Sequence, residues 1–155
     1  MRVETTRFGV LEVDEQSTVR MPSGPLGFEE QTEFCLIQHR PDTSFRWLQS
    51  TADPSLAFVV VDPANFFDGY EIEVTDADAD KLALVDEKDA LVLVILTIGE
   101  GAESVTANLA APIVVNSKTL VGMQVVLQDE RYSVSHPVPT QESARSREDT
   151  TTKAA

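Results

Sequence analysis

Few side chains in this 155-residue chain are of the types that do covalent or metal chemistry. There is one cysteine, Cys35, and there are two histidines, His39 and His136. Cys35 and His39 are four residues apart, which on a strand puts both on one face. A Cys–His dyad also needs a lowered thiol pKa and a third group to orient the base. No such partner is evident, and Cys35 lies inside the apolar run Phe34-Cys35-Leu36-Ile37, where cysteine packs as a small hydrophobe. His136 precedes Pro137 late in the chain and reads as a surface residue. Asp76-Ala77-Asp78-Ala79-Asp80 has the alternation of a calcium loop, with Glu87 at its twelfth position. The sixth position is Lys81, where such a loop needs glycine for its sharp turn. A helix start explains the same carboxylates, because the helix dipole favours negative charge there. The chain contains no G-x-S-x-G elbow, Walker loop, G-x-G-x-x-G or H-E-x-x-H motif. By its residues the chain is not obviously an enzyme, and no metal or cofactor is expected.

The elements that would position any site are mostly short strands. Residues 2 to 13 alternate loosely around Val3, Phe8, Val10, Leu11 and Val13, with Gly9 as a bend or bulge. Val19 to Pro22 forms a further short strand, and Phe34 to Ile37 another. Phe45, Trp47 and Gln49 share one face of a strand that turns at Asp53-Pro54-Ser55 into the apolar run Leu56 to Val61. Asp62 to Asn65 ends that hairpin, Phe66-Phe67 pins the loop, and Tyr70 to Val74 reads as another strand. Thr75 to Leu84 is the one helix, capped by Thr75 or Asp76, with Leu82 and Val85 facing inward. Leu91 to Ile98 is the longest apolar run and the expected central strand. Gly99-Glu100-Gly101 turns it into Val105 to Leu109. Thr106 to Leu127 then carries two β-branched runs, Ile113 to Val115 and Val125 to Leu127, joined by the polar turn Asn116-Ser117-Lys118 and interrupted near Gly122. Val134 to Val138 is a last strand or extended arm. The prediction is an all-β, predominantly antiparallel domain over residues 1–138, a small β-barrel-like or sandwich fold with one short helix. Residues 139–155 lack apolar periodicity and are expected to form a disordered polar tail.

Composition narrows function further. The chain is 42% apolar, enough for a core at this length. A lone cysteine excludes an internal disulfide framework. The N-terminal residues have no apolar signal-like run, and no run approaches membrane-span length, so a cytoplasmic protein is expected. The net charge is −14. In the tail, Arg145, Arg147 and Lys153 cancel Glu142, Glu148 and Asp149, so the whole charge sits on residues 1–138. Such a domain repels phosphate backbones, which argues against direct nucleic-acid binding and for a basic protein partner. Solubility alone is the simpler explanation of the same acidity.

Two features admit both a structural and a contact role. Gly24-Pro25-Leu26-Gly27-Phe28-Glu29-Glu30 is a rigid turn with Phe28 tucked into the core, or a presented surface with two acids. Asn108 and Asn116 cap turns, or recognise a partner's backbone.

In order along the chain, G-P-L-G-F (Gly24–Phe28), F-R-W-L-Q-S (Phe45–Ser50), A-F-V-V-V-D-P (Ala57–Pro63), the pair Phe66-Phe67 with D-G-Y (Asp68–Tyr70), I-L-T-I (Ile95–Ile98), T-A-N-L-A-A-P-I-V-V-N (Thr106–Asn116) and Q-V-V-L (Gln124–Leu127) resemble the flagellar assembly factor FliW family, with Tyr132 and His136-Pro137 completing the match. The resemblance spans about Phe8 to Val138. It implies a small antiparallel β-barrel-like protein without catalysis, which binds the translational repressor CsrA, blocks its hold on flagellin messenger RNA, and is titrated away by flagellin. The loop positions then expected to meet a partner are Gly24, Pro25, Gly27, Phe28, Glu29, Glu30, Asn108, Asn116 and Gln124. A flagellin chaperone without a translational role is the alternative. A small β-barrel enzyme with a pocket near Trp47 and His39 is a third reading.

Overall fold

The computed structural model describes residues 1–38, 43–98 and 105–138. His39, the predicted turn at Gly99–Gly101 and the predicted tail lie outside the described residues. Among the described residues eleven strands are formed: β1 (Arg2–Thr5), β2 (Gly9–Glu12), β3 (Thr18–Arg20), β4 (Glu33–Ile37), β5 (Arg46–Ser50), β6 (Ala57–Val61), β7 (Ala90–Ile98), β8 (Val105–Ala107), β9 (Ile113–Asn116), β10 (Gly122–Gln124) and β11 (His136–Pro137). With them is one α-helix, α1 (Asp76–Leu82). The nine-stranded main sheet runs β10-β9-β7-β6-β5-β4-β3, with β8 added to β7 and β11 to β8. Every ladder is antiparallel. The sheet curls until its ends touch: Arg20 and Val121 form an isolated parallel bridge, and the Arg20 amide donates to the Leu120 carbonyl at 2.9 Å. This is the predicted all-β fold.

Alternation along β7 shows why that run is apolar throughout. Leu91, Leu93 and Ile95 join the main core with Phe34, Leu48, Val60, Ile113 and Val115. Val94 and Leu96 point the other way, into a second cluster covered by Phe66, Phe67, Tyr70 and Tyr132. β9 repeats the pattern, with Ile113 and Val115 in the main core. Its Val114 lies in a third cluster with Leu82 of α1 and Val125. Strands buried on both faces lose the apolar–polar alternation of a half-exposed sheet. The coverings come from the long excursion between β6 and β7 and from the segment after β10.

β8 and β9 occupy the same edge of β7. The register moves from Leu96↔Ala107 to Leu93↔Ile113, so Asn108–Pro112 loops out of the ladder as a wide bulge. The hairpin between β5 and β6 turns where predicted. Its loop is held by the buried Gln49 amide, which donates to the carbonyls of Ser50, Asp53 and Pro54.

Four local expectations are corrected. Residues 2–13 are not one bent strand but a hairpin, β1–β2, with Gly9 at φ +74° after the turn. It is fastened outside the main sheet by Phe8, edge-on to Trp47, and by Arg7 stacked 4.4 Å from that ring's centroid. Tyr70–Val74 joins no ladder. The strand after the Asn116 turn is Gly122–Gln124 rather than Val125–Leu127; the amides of Val125 and Leu127 instead donate to Pro112 and Ala110 in the bulge. Val85 does not face inward: it is 98% exposed, because Ala83 takes the left-handed conformation (φ 55°) and ends the helical period after Leu82. Thr75 caps α1 as predicted, its hydroxyl accepting from the Asp78 amide. Asp76 and Asp78 fill the first turn, and among the described residues no three His, Cys, Asp or Glu side chains converge as metal ligands. No helix among them is long and apolar enough to cross a membrane.

Candidate partner-binding surface

The loop joining β3 to β4 folds on itself before it presents anything. Gly24 and Pro25 are buried. Gly24 sits at φ +69°, and a Cβ there would come within 2.5 Å of the Glu29 Cα, so only glycine lets the loop close this tightly. The Gly24 amide donates to Met21, Phe28 to Pro25 and Gln31 to Phe28, which makes three consecutive turns. Gly27 has positive φ but open space around it. Its amide donates to the Glu29 carboxylate at 3.1 Å. That bond, and then the amide of Glu29 itself, hold the carboxyl below its usual range.

Gln124 anchors the loop from across the sheet. Its Oε1 accepts from the Leu26 amide at 2.8 Å while its Nε2 donates to the Ala111 carbonyl at 2.9 Å. What the loop shows to solvent is Leu26, Phe28, Glu29 and Glu30. Phe28 is not tucked into the core; it is 42% exposed, with its ring edge-on to Phe58. The sequence-derived contact residues of this region therefore divide. Gly24, Pro25 and Gln124 build the loop, Gly27 shapes it, and Phe28, Glu29 and Glu30 are presented.

The two asparagines belong to the framework. Asn108 closes the bulge by accepting from the Ala111 amide at 3.0 Å. Asn116 is 4% exposed, and its side chain serves the turn-capping role that is the other reading of it. Its Nδ2 donates to the carbonyls of Leu82 and Ala83 at the end of α1, and its Oδ1 accepts from Lys118 and Thr119. One buried side chain thus caps a helix and a turn at once.

Sequence reasoning missed a second surface. Residues 71–76 and 125–129, with Arg131, line a groove of about 730 Å³. Burial alternates with period two along both: Ile72 and Val74 turn inward between Glu71, Glu73 and Thr75, and Val125 and Leu127 turn inward between Val126 and Gln128. At one end Tyr70 and Tyr132 meet edge to face at 4.7 Å. The Tyr70 hydroxyl donates to Leu109, and the Tyr132 hydroxyl accepts from the Glu71 amide. Burial, then proximity to Tyr132, pushes the Tyr70 phenol far above its ordinary range, so it remains a donor throughout the physiological range. Asp129 is held low by its bidentate pairing with Arg131. The two tyrosines were the available sequence signal for this pinning, but their meeting across 61 intervening positions was not.

Cys35 is buried against the sheet interior, and burial pushes its thiol up, away from nucleophilic use. It packs as the core residue its neighbours predict.

The FliW protein family model matches residues 2–138. The flagellar assembly factor FliW of Moorella thermoacetica is 39% identical over 137 residues, covering 88% of this chain and 87% of that protein. The factor of the same name from Geobacter sulfurreducens is 38% identical, covering 88% and 86%. A crystal structure of the flagellar assembly factor FliW superposes with a TM-score of 0.83 at 37% identity, covering 91% of this chain and 99% of that one. The chain therefore belongs to the FliW family of flagellar assembly factors.

Proposed function

We propose that this flagellar assembly factor is a non-catalytic, cytoplasmic protein-binding regulator. It antagonises a CsrA-type translational repressor and binds flagellin, so that the level of free flagellin sets flagellin translation. The observation that carries this reading is the charge of −14 confined to residues 1–138. An anionic domain docked beside an RNA site raises the local negative potential and disfavours RNA without occupying the site itself. The repressor must expose a cationic face to hold RNA, so the same charge also steers the encounter. The presented Phe28, with Glu29 and Glu30, supplies an aromatic anchor with an acidic rim, the composition expected of a contact loop.

The test is a three-component titration. The protein is added to a preformed complex of the repressor with flagellin leader RNA, with and without flagellin. Release of RNA, reversed by flagellin, is the expected result. RNA that stays bound while flagellin still forms a complex would replace this reading with a chaperone for the filament subunit. Charge exclusion makes a further demand: raising the salt should weaken the antagonism more than it weakens binding. Antagonism that is indifferent to salt while binding persists would remove that part of the mechanism.

A further inference from the structure

The groove between residues 71–76 and 125–131 is bordered by backbone that the fold leaves unused. Among the described residues, the amides of Ile72, Glu73 and Val74 on one side, and of Val126 and Gln128 on the other, have no hydrogen-bond partner. The amides of Val125 and Leu127 face the bulge and are paired. The alternate amides of the same extended segment therefore face away from it. Both borders are nonetheless held in place, since Ile72, Val74 and Leu127 pack against Leu82, Val114 and Val125. The result is a pre-organised pair of strand edges with an apolar floor between them.

Unpaired edges invite a further strand, and proteins guard them with charge. Here the guard has one sign. Glu71, Glu73, Asp76 and Asp129 line the groove, and the single cation, Arg131, already pairs with Asp129 at 2.7 Å. Acidic edges repel a second copy of this acidic chain and favour a basic segment. Six residues of border span about 20 Å at strand rise, room for about five or six residues of peptide.

We propose that this groove is a strand-addition site for an extended segment of a protein partner that alternates basic and apolar residues. The peptide backbone bonds to the alternate free amides, those of Ile72 and Val74 on one border and of Val126 and Gln128 on the other, its apolar side chains meet the floor, and its cations meet Glu71 and Glu73. The inference deepens the partner-binding reading above by naming a surface and a mode of recognition. Its test uses neither repressor nor flagellin, so either can fail alone.

The full chain is titrated with a fluorescent hexapeptide of alternating lysine and valine. Two controls are the same peptide N-methylated at alternate backbone nitrogens and a glutamate-for-lysine version. The unmodified peptide should bind at least about tenfold more tightly than either control. On binding, the amides of Ile72, Val74, Val126 and Gln128 should gain protection from hydrogen exchange. Val126→Pro removes one free donor and no bond of the fold, so it should melt like the parent yet bind about tenfold more weakly. Glu73→Lys, an exposed change, provides the same test through charge and should shift preference toward the glutamate peptide. The proposal is overturned if the lysine–valine peptide does not bind, if methylation leaves its affinity unchanged, if protection maps elsewhere, or if a folded Val126→Pro binds like the parent.

Discussion

The loop at 24–30 and the groove at 71–76/125–131 solve opposite problems with their backbones. In the loop, successive turns and the Gln124 and Glu29 side chains consume the amides of Gly24, Leu26, Gly27 and Phe28, leaving the remaining side chains to face solvent. In the groove, side chains are anchored inward and the free groups are amides. A surface of the first kind distinguishes partners by side-chain fit. One of the second kind accepts any strand whose charge and alternation suit it. The difference teaches that an irregular segment is not one category: the first is rigid because its backbone is closed, the second because its side chains are.

The severest way to break the comparison is Val114→Asp. Val114 is fully buried beneath the groove and next to main-core strand residues, so an unpaired carboxylate there should cost about 4 kcal/mol or more and unfold both regions together. A cooperative circular-dichroism melt at the parent temperature would refute the packing described for β9. Gly24→Ala should separate the two regions. Its Cβ meets the Glu29 backbone at positive φ, for an expected cost of about 2–4 kcal/mol. Gly27→Ala, with φ +85° but open space, should cost about 1 kcal/mol. Calorimetry on the pair measures close approach against conformation alone, and equal losses would remove the role given to Gly24.

Gln124→Ala should cost about 1–2 kcal/mol through its two hydrogen bonds. Hydrogen exchange at the Leu26 amide should quicken while the Tyr70–Tyr132 end of the groove stays protected; unchanged exchange at Leu26 would show that the loop closes without this anchor. The smallest expected effect is in acid. A carboxyl whose folded pKa is depressed stabilises the fold above its unfolded value and loses that contribution as pH falls through the folded one. Glu29 is such a group, held low by the Gly27 amide. An NMR titration downward from neutral pH should give Glu29 a midpoint below that of an ordinary glutamate, with the Gly27 amide shifting in step. A normal midpoint would mean that the carboxylate does not close the turn.

Much of the frame was legible residue by residue. Thr75 before three alternating aspartates announces a capped helix, because the signal is local to one turn. Leu91 to Leu96 is uniformly apolar and rich in β-branched residues, the pattern of a strand covered on both sides. Two glycines and a proline around Leu26 mark a tight loop. Other features needed the folded chain. Val125–Leu127 is as apolar as Ile113–Val115, yet the ladder forms at Gly122–Gln124, where the absence of a side chain at Gly122 lets the backbone approach Val115. Asn116 looks like any turn asparagine until the end of α1, which is remote in sequence, arrives beside it.

By itself the sequence determined where the backbone is extended, where it turns, where the helix starts and how acidic the domain is, since propensity, capping and charge act over a few residues or by simple sum. Only the tertiary structure decided which extended segments find a partner. Tyr70–Val74 and Val125–Leu127 have strand-like patterns, but hydrogen bonding needs a second backbone at the right distance. Among the described residues, none reaches the groove side of either.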